Sequence, residues 1–395
     1  MISKRIQNLA PSATLAMSQK SAELKAAGVD VINMSVGEPD FNTPDFIKEA
    51  AKKAIDENFS RYSPVPGYLS LRKAICEKLK RDNHLDYAPE QIVVGNGAKQ
   101  ELANVILSLI NPGDEVIIPT PAWVSYVEMV KLAEGVSVLV SAGLESDFKI
   151  TASQLEKAIT PKTRLLLLNS PSNPTGSIYS QEELEELAVV LRKFPDIMVL
   201  SDEIYEHINY VGKVASIARC EGMKERTVIV NGVSKAYAMT GWRVGFMAAP
   251  LEISKACTKL QGQYTSGPSS IAQKAAEAAY DGPQECVEEM RKAFERRRDL
   301  IVSLAKEIDG WKVNTPEGAF YLFPEVSSYI GKKNGDWEIK TTGDYVMYLL
   351  QEAHVACVDG EAFCAPGYMR LSYATSDDNI REAMKRIKEA SSKLK

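Results

Sequence analysis

The stretch TRLLLLNSPSNPTGSIYSQEELEELAVVLRKFPDIMVLSDE, Thr163 to Glu203, holds a complete supersecondary unit. Its leucine run, Leu165 to Leu168, is apolar without alternation, so it reads as a strand covered on both faces. A loop with two prolines and a glycine follows. Ser180 and Glu183 then form a capping-box pattern that starts a helix over SQEELEELAVVLRKF. IMVL, ahead of Asp202, is a second buried strand. Strand, helix and strand in succession make a βαβ unit, which requires a parallel sheet.

The pattern repeats outward. QIVVGNG precedes AKQELANVILSLI, in which Leu102, Val105, Ile106 and Leu109 share a helical face. DEVIIPTP reads as a strand, SYVEMVKLA as a helix and VSVLV as a strand. The expected class is α/β, a mostly parallel sheet flanked by helices, with ligands gathering at the carboxyl ends of its strands. Beyond about Gly282 the pattern changes. The charged helix PQECVEEMRKAFERRRDLIVSLAKEI leads to isolated strands in GAFYLFPEV and YMRLSYA, as expected of a smaller α+β domain. GKKNGDWEIKTTGD reads as a surface loop and ERRRD as a solvated helix face.

Composition narrows the setting. A chain of 395 residues is too long for one ordinary core. Its 47 Lys plus Arg against 52 Asp plus Glu give a net charge of -5, without overall attraction to nucleic acid or an anionic membrane. No apolar run is long enough to span a bilayer, and the N-terminus lacks the core of a signal peptide, so the cytoplasm is the expected compartment. The 6 cysteines are scattered without C-x-x-C spacing. With 3 histidines and no H-E-x-x-H or Cys/His cluster, no metal site is expected. His207 reads as a helix-surface residue.

The strand ends carry the chemistry. After QIVVGNG, the N–H groups of Gly97, Ala98 and Lys99 open a helix, where free donors and the helix dipole favour phosphate. Gln100 stands where a dinucleotide fingerprint has its third glycine, so a plain tight turn is the other reading. The rigid loop SPSNPTG holds Asn173. Asp202 lies just past a buried strand, with Tyr205 a turn later; a helix N-cap is the alternative for Asp202. Lys235 also follows an apolar run, RTVIVNGVS. A lysine in a partly desolvated pocket with cationic neighbours has a lowered pKa and serves as nucleophile or base. Arg243 offers a planar donor fork suited to phosphate. Phosphate cradle, amine, ring-nitrogen acid and phenolate donors are the parts needed to bind pyridoxal phosphate as a Schiff base.

PSAT, GEPDF, RYSPVPG, GNGAKQ, NSPSNPTG, SDEIYEH, SKAYAMTGWRVGF and RLSYAT, in that order, resemble the class I aminotransferases of the fold-type I pyridoxal-phosphate enzymes, and within them the bacterial aspartate and aspartate/prephenate subgroup. The resemblance implies an N-terminal arm with part of a small domain at 1–45, a large cofactor-binding domain at 46–285 and a small domain at 286–395. It implies Lys235 as the Schiff-base lysine and proton shuttle, Asp202 on the pyridine nitrogen, Asn173 and Tyr205 on the ring oxygen, and Trp123 stacked on the ring. Gly97, Ala98, Ser234 and Arg243 would surround the phosphate, with Tyr62 reaching it from the neighbouring subunit of a homodimer with shared active sites. Arg370 and the Gly37 backbone would clamp the substrate α-carboxylate, and Thr14 and Lys99 would serve a distal carboxylate. Trp123 and Asn173 would also border the substrate.

The reaction implied moves the amino group of L-aspartate to 2-oxoglutarate by ping-pong kinetics, with prephenate as a further acceptor. Plainer readings stand beside these roles: Trp123 as a core aromatic, Tyr62 as a turn residue, Arg370 as a strand salt-bridge partner, Lys99 as a solvated helix-start lysine. Aromatic or alanine specificity and a same-fold carbon–sulfur β-lyase would share the cofactor residues. A cofactor-sensing regulator would need a DNA-binding module, for which the start in the PSAT arm is expected to leave no room.

Overall fold

The computed structural model describes residues 2–212 and 214–395. At its centre is a seven-stranded sheet. Its strands in chain order are β1 (Ile92–Gly95), β2 (Glu115–Thr120), β3 (Val136–Ser141), β4 (Thr163–Asn169), β5 (Met198–Asp202), β6 (Thr227–Gly232) and β7 (Gly245–Ala248). Their spatial order is β1-β7-β6-β5-β4-β2-β3. Every neighbouring pair is parallel except those of β7, which runs antiparallel to β1 and β6.

The leucine run shows why this sheet forms. Strand side chains alternate faces. Leu165 and Leu167 pack with Val116, Leu200 and Val230 against the helices Ala98–Leu109 and Ser125–Leu132. Leu166 and Leu168 pack on the opposite face with Val199 against Leu184, Leu187 and Leu191 of the helix Gln181–Arg192. Both faces are thus dry, and each buried leucine contributes roughly 1.5–3 kcal/mol. The helix Gln181–Arg192 starts where its capping box predicts: Ser180 Oγ accepts from Glu183 N at 3.2 Å, and Glu183 Oε2 accepts from Ser180 N at 2.8 Å.

Register aligns the carboxyl ends. Asn169 pairs with Asp202, and Asp202 with Val230, two residues before β6 ends. The ends of β4, β5 and β6 therefore present their following residues to one side.

A second core lies on that side. The long helix Glu285–Ala305 packs there with the helices Thr342–Glu352 and Asp377–Ser392. Chain from the N-terminus joins it: Ile32–Asn33 pairs in parallel with Val355–Ala356, and Met17 and Met34 are buried with them. Strand Met369–Ser372 pairs antiparallel with Val358–Asp359 and Tyr321–Leu322. Ile204, Tyr205 and Ile208, just past β5, also sink into this core.

Four expectations need correction. GKKNGDWEIKTTGD is not a bare loop: Lys333–Asn334 and Trp337–Glu338 form an antiparallel ladder, because Trp337 anchors edge-to-face on Tyr348 at 5.5 Å. Within ERRRD, Arg296 is exposed but Arg297 is buried and gives both Nη atoms to Asp40 at 2.7 and 3.0 Å. One residue along a helix rotates the side chain about 100°, enough to carry Arg297 from solvent into the core. His207 lies in a turn, half-buried, facing Glu206 at 3.3 Å and Asp82 at 3.6 Å. GAFYLFPEV contributes only the two-residue strand Tyr321–Leu322. All six cysteines are free. No described helix is long and apolar enough to cross a membrane.

Candidate active site

Between the carboxyl edge of the sheet and the second core lies a cleft of about 380 Å3. Asp202 forms its floor as the last residue of β5 and is 3% exposed. Tyr126 donates its hydroxyl to Asp202 Oδ2 at 2.7 Å, and Ile204 N donates to Oδ1 at 3.2 Å. Burial pushes the carboxyl up to about 6, opposed by these two hydrogen bonds and by Lys235. Lys235, three residues past β6, donates Nζ to the Gly37 carbonyl at 2.5 Å. Burial draws its amine down to about 8; Glu38 resists, while Arg370 and Arg243 reinforce the fall. Both groups are shifted toward their neutral forms because a dry cleft disfavours charge.

Arg370 projects from strand Met369–Ser372 and is 2% exposed. It donates Nη2 to Ser35 O at 2.6 Å and Nη1 to Asn173 Oδ1 at 2.9 Å, while Nε has no partner. Tyr321 and Phe363 offer ring faces 4.5 and 5.0 Å from its Cζ. Among the described residues no carboxylate forms a salt bridge with it, so a strand ion pair does not account for this arginine. A buried cation without a counter-charge is costly unless an anionic ligand completes it. Asn173 is held in turn: its N–H donates to Asn169 Oδ1 at 2.8 Å, and Asn169 Nδ2 donates to Asp202 O at 3.0 Å.

The opposite end of the cleft is built for an anion. Gly97, with φ +82°, caps the helix that Ala98 opens. A Cβ on residue 97 would meet the Arg243 guanidinium, and one on residue 245 would run into the Ala98 backbone. Only glycine lets these segments approach so closely. Arg243 itself is in the left-handed region, φ +56°, which costs roughly 1–2 kcal/mol and aims its guanidinium across the helix start. Its Nη1 donates to Thr240 O at 2.9 Å and its Nη2 to Asn96 O at 3.3 Å. Ser234 is buried and lines the same cleft.

Trp123 stands half-buried at the wall, edge-to-face with Tyr126 at 5.3 Å. Lys99 lies 4.7 Å above its ring. The Lys99 side chain stays open to solvent, yet packing at the cleft mouth, and Arg243 after it, lower its pKa. Thr14 also lines the cleft, with its Oγ1 enclosed and without a hydrogen-bond partner. Tyr205 is buried, its hydroxyl 2.7 Å from that of Tyr321.

Of the residues expected at the site, all but two line this cleft: Gly97 sits against Arg243 just behind the lining, and Tyr62 is fully exposed at 100%. Sequence reasoning missed Tyr126, Tyr321 and Glu38. Tyr126 had a readable signal, three residues after Trp123 across the turn that opens the helix Ser125–Leu132, where Tyr126 N donates to Trp123 O at 3.0 Å. Tyr321 had none, because strand periodicity cannot say which face meets a ligand.

Comparison with known proteins agrees with this geometry. The profile of the family described as aminotransferase class I and II matches residues 29–387. An aspartate/prephenate aminotransferase of Nitrosomonas europaea is 49% identical over 390 residues, 98% of both chains. An aspartate aminotransferase of Geobacillus stearothermophilus is 50% identical over 388 residues, again 98% of each. Among solved structures, the aspartate aminotransferase of Rhizobium meliloti superposes with a TM-score of 0.96 at 45% identity, covering 100% of both chains. That of Thermus thermophilus, solved with maleate, gives 0.92 at 42% identity over 99% of each.

The donor set suits pyridoxal 5'-phosphate. The glycine-lined helix start and Arg243 match a phosphate dianion, buried Asp202 matches a ring N–H, and the depressed amine of Lys235 matches an aldehyde. The residues present therefore fit the group.

Proposed function

We propose that this chain, which belongs to the class I and II aminotransferases and uses pyridoxal 5'-phosphate, moves the amino group of L-aspartate to 2-oxoglutarate. The products are oxaloacetate and L-glutamate, and prephenate serves as a further amino acceptor. The observation that carries the reading is Arg370: a buried guanidinium without a counter-charge, sharing a cleft with Lys235 and Asp202.

When bound, pyridoxal phosphate supplies an aldehyde that condenses with amines and a ring that takes up electrons released at the substrate α-carbon. Gly97, Ala98, Ser234 and Arg243 would hold its phosphate, Trp123 its ring face, Asn173 and Tyr205 its ring oxygen. Asp202 would hold a proton on the ring nitrogen, since a carboxylate beside that cation keeps both charged.

The remaining work falls to the chain. Arg370 binds the substrate α-carboxylate and, with Gly37, fixes the α-carbon within reach of Lys235. Lys235 Nζ takes the α-proton and would pass it to the former aldehyde carbon within the same half-reaction, and the second substrate would run this transfer in reverse. An amine near 8 is suited to this at neutral pH, because a usable fraction is unprotonated. Thr14 and Lys99, which both line the cleft, would receive the distal carboxylate, the cation at the mouth matching its second charge. We also infer a cytoplasmic homodimer in which Tyr62 completes the neighbouring subunit's phosphate site; its full exposure is compatible with that role.

The test is a half-reaction spectrum. Purified protein loaded with pyridoxal phosphate is mixed with single amino acids, and the cofactor absorption is followed. L-aspartate and L-glutamate are expected to convert it to the aminated form and release their oxo acids. No conversion with either, together with pyruvate and ammonia from a cysteine conjugate, would point to the β-lyase instead.

A further inference from the structure

Tyr321 touches three members of the site without having a part in the roles above. Its hydroxyl lies 2.7 Å from that of Tyr205. Its ring lies 4.5 Å from the Arg370 guanidinium carbon. A Cβ on residue 37 would run into its hydroxyl, so Tyr321 also backs the carbonyl that receives Lys235. It is held from behind by the pairing of Ser372 with Tyr321 and Leu371 with Leu322, which places Tyr321 and Arg370 on adjacent strands.

A proton count gives this contact a direction. Each phenol carries one hydrogen. If Tyr205 donates to a ligand oxygen, it cannot also donate to Tyr321, so Tyr321 must be the donor for the 2.7 Å contact to survive. A hydroxyl that accepts a hydrogen bond is polarised and donates more strongly in turn. The Arg370 cation over the ring of Tyr321 strengthens Tyr321 as a donor. An arriving carboxylate offsets that charge and weakens it.

We propose that Tyr321 is a positioning residue that donates to Tyr205 and thereby transmits occupancy of Arg370 by a carboxylate to the ring-oxygen end of the cofactor site. This rests on the functional reading above. It makes the cofactor environment respond to the substrate before any proton moves.

The test titrates the absorption of the cofactor-loaded enzyme with pH, with and without succinate, a dicarboxylate that has no amino group. Donation to the ring oxygen stabilises the form that has lost a proton, so weaker donation moves the midpoint up. Tyr321→Phe is expected to raise it by about half a pH unit. The succinate-induced rise is expected to fall to less than half that of the parent. Failure of either arm overturns the proposal. Tyr205→Phe and the double variant Tyr205→Phe/Tyr321→Phe give a second check, in which the double variant leaves neither hydroxyl stranded. Equal midpoints support the route through Tyr205, and a further shift in the double variant overturns it. If the parent shows no cofactor band, the functional reading itself falls and the role of Tyr321 falls with it.

Discussion

Tyr126 and Asp202 meet in a 2.7 Å hydrogen bond between two buried side chains, with the phenol as donor and the carboxylate as acceptor. The bond favours the ionised acid, opposing the burial that raises it to about 6. Tyr126→Phe removes this opposition, so the Asp202 pKa rises further. The acid limb of the kcat/KM profile is expected to move up by about half a unit, with a fall of less than about twofold at pH 7 and of about threefold at pH 5. A profile superimposable on the parent's would show that the phenol does not tune the acid.

Arg370 illustrates a conflict between stability and function. Replacing a buried, uncompensated charge with an apolar residue of similar length relieves desolvation, so Arg370→Met is expected to stabilise the ligand-free protein by about 1–4 kcal/mol. The same change should lower kcat/KM for L-aspartate by more than about 100-fold, because bidentate carboxylate binding is lost. Thermal melts and steady-state kinetics on one preparation measure both; a lower Tm would contradict the charge argument.

Lys235→Ala removes the amine proposed to shuttle the proton. Turnover should fall by at least about 10⁴-fold. Pyridoxal phosphate should still bind through the helix start and Arg243, observable by fluorescence titration. Appreciable turnover in this variant would remove Lys235 from the mechanism.

Gly245→Ala tests the crowding under the phosphate end. The new methyl would push into the backbone at Gly97 and Ala98, which cannot move as a side-chain tip could. A loss of about 1–3 kcal/mol in stability is expected. Cofactor affinity should weaken with it, since the same backbone opens the anion site; equilibrium dialysis measures the change.

Glu101 is buried in the first turn of that helix, one oxygen without a partner, and burial pushes its carboxyl up to about 8. Its folded pKa thus lies above its unfolded value of 4.5. Stability from this group is full below 4.5 and is lost as pH climbs toward 8, because only the unfolded chain releases the proton in that window. Glu101→Gln should therefore match the parent near pH 4.5 and exceed it at pH 8 by up to a few kcal/mol. Denaturant unfolding across that range decides it.

The α/β architecture was legible because hydrophobic runs such as Leu165 to Leu168 admit few alternatives, and Ser180 with Glu183 marked a helix start that the structure keeps. The places of Asp202, Asn173 and Lys235 were legible for a related reason: each directly follows a strand or its loop, and parallel strands deliver such residues to one edge. What could not be read was sidedness. Arg297 and Arg296 are adjacent and alike in sequence, yet one is buried against Asp40 and the other is on the surface. Tyr321 reaches Tyr205 and Arg370 only because strand Tyr321–Leu322 pairs with Met369–Ser372, a long-range register that local periodicity does not encode.

Lys235 and Arg243 lie on one connection between β6 and β7, and its two ends are pinned together where Gly232 pairs with Gly245. In their proposed roles the two groups would act as the jaws of a short tether. A ligand gripped by both is bivalent: releasing one jaw leaves it at high local concentration beside the other, so rebinding outpaces escape. On that reading residence time, more than the affinity of either contact, is what this hairpin would control. Lengthening the connection should shorten the lifetime of the loaded enzyme even with both side chains intact.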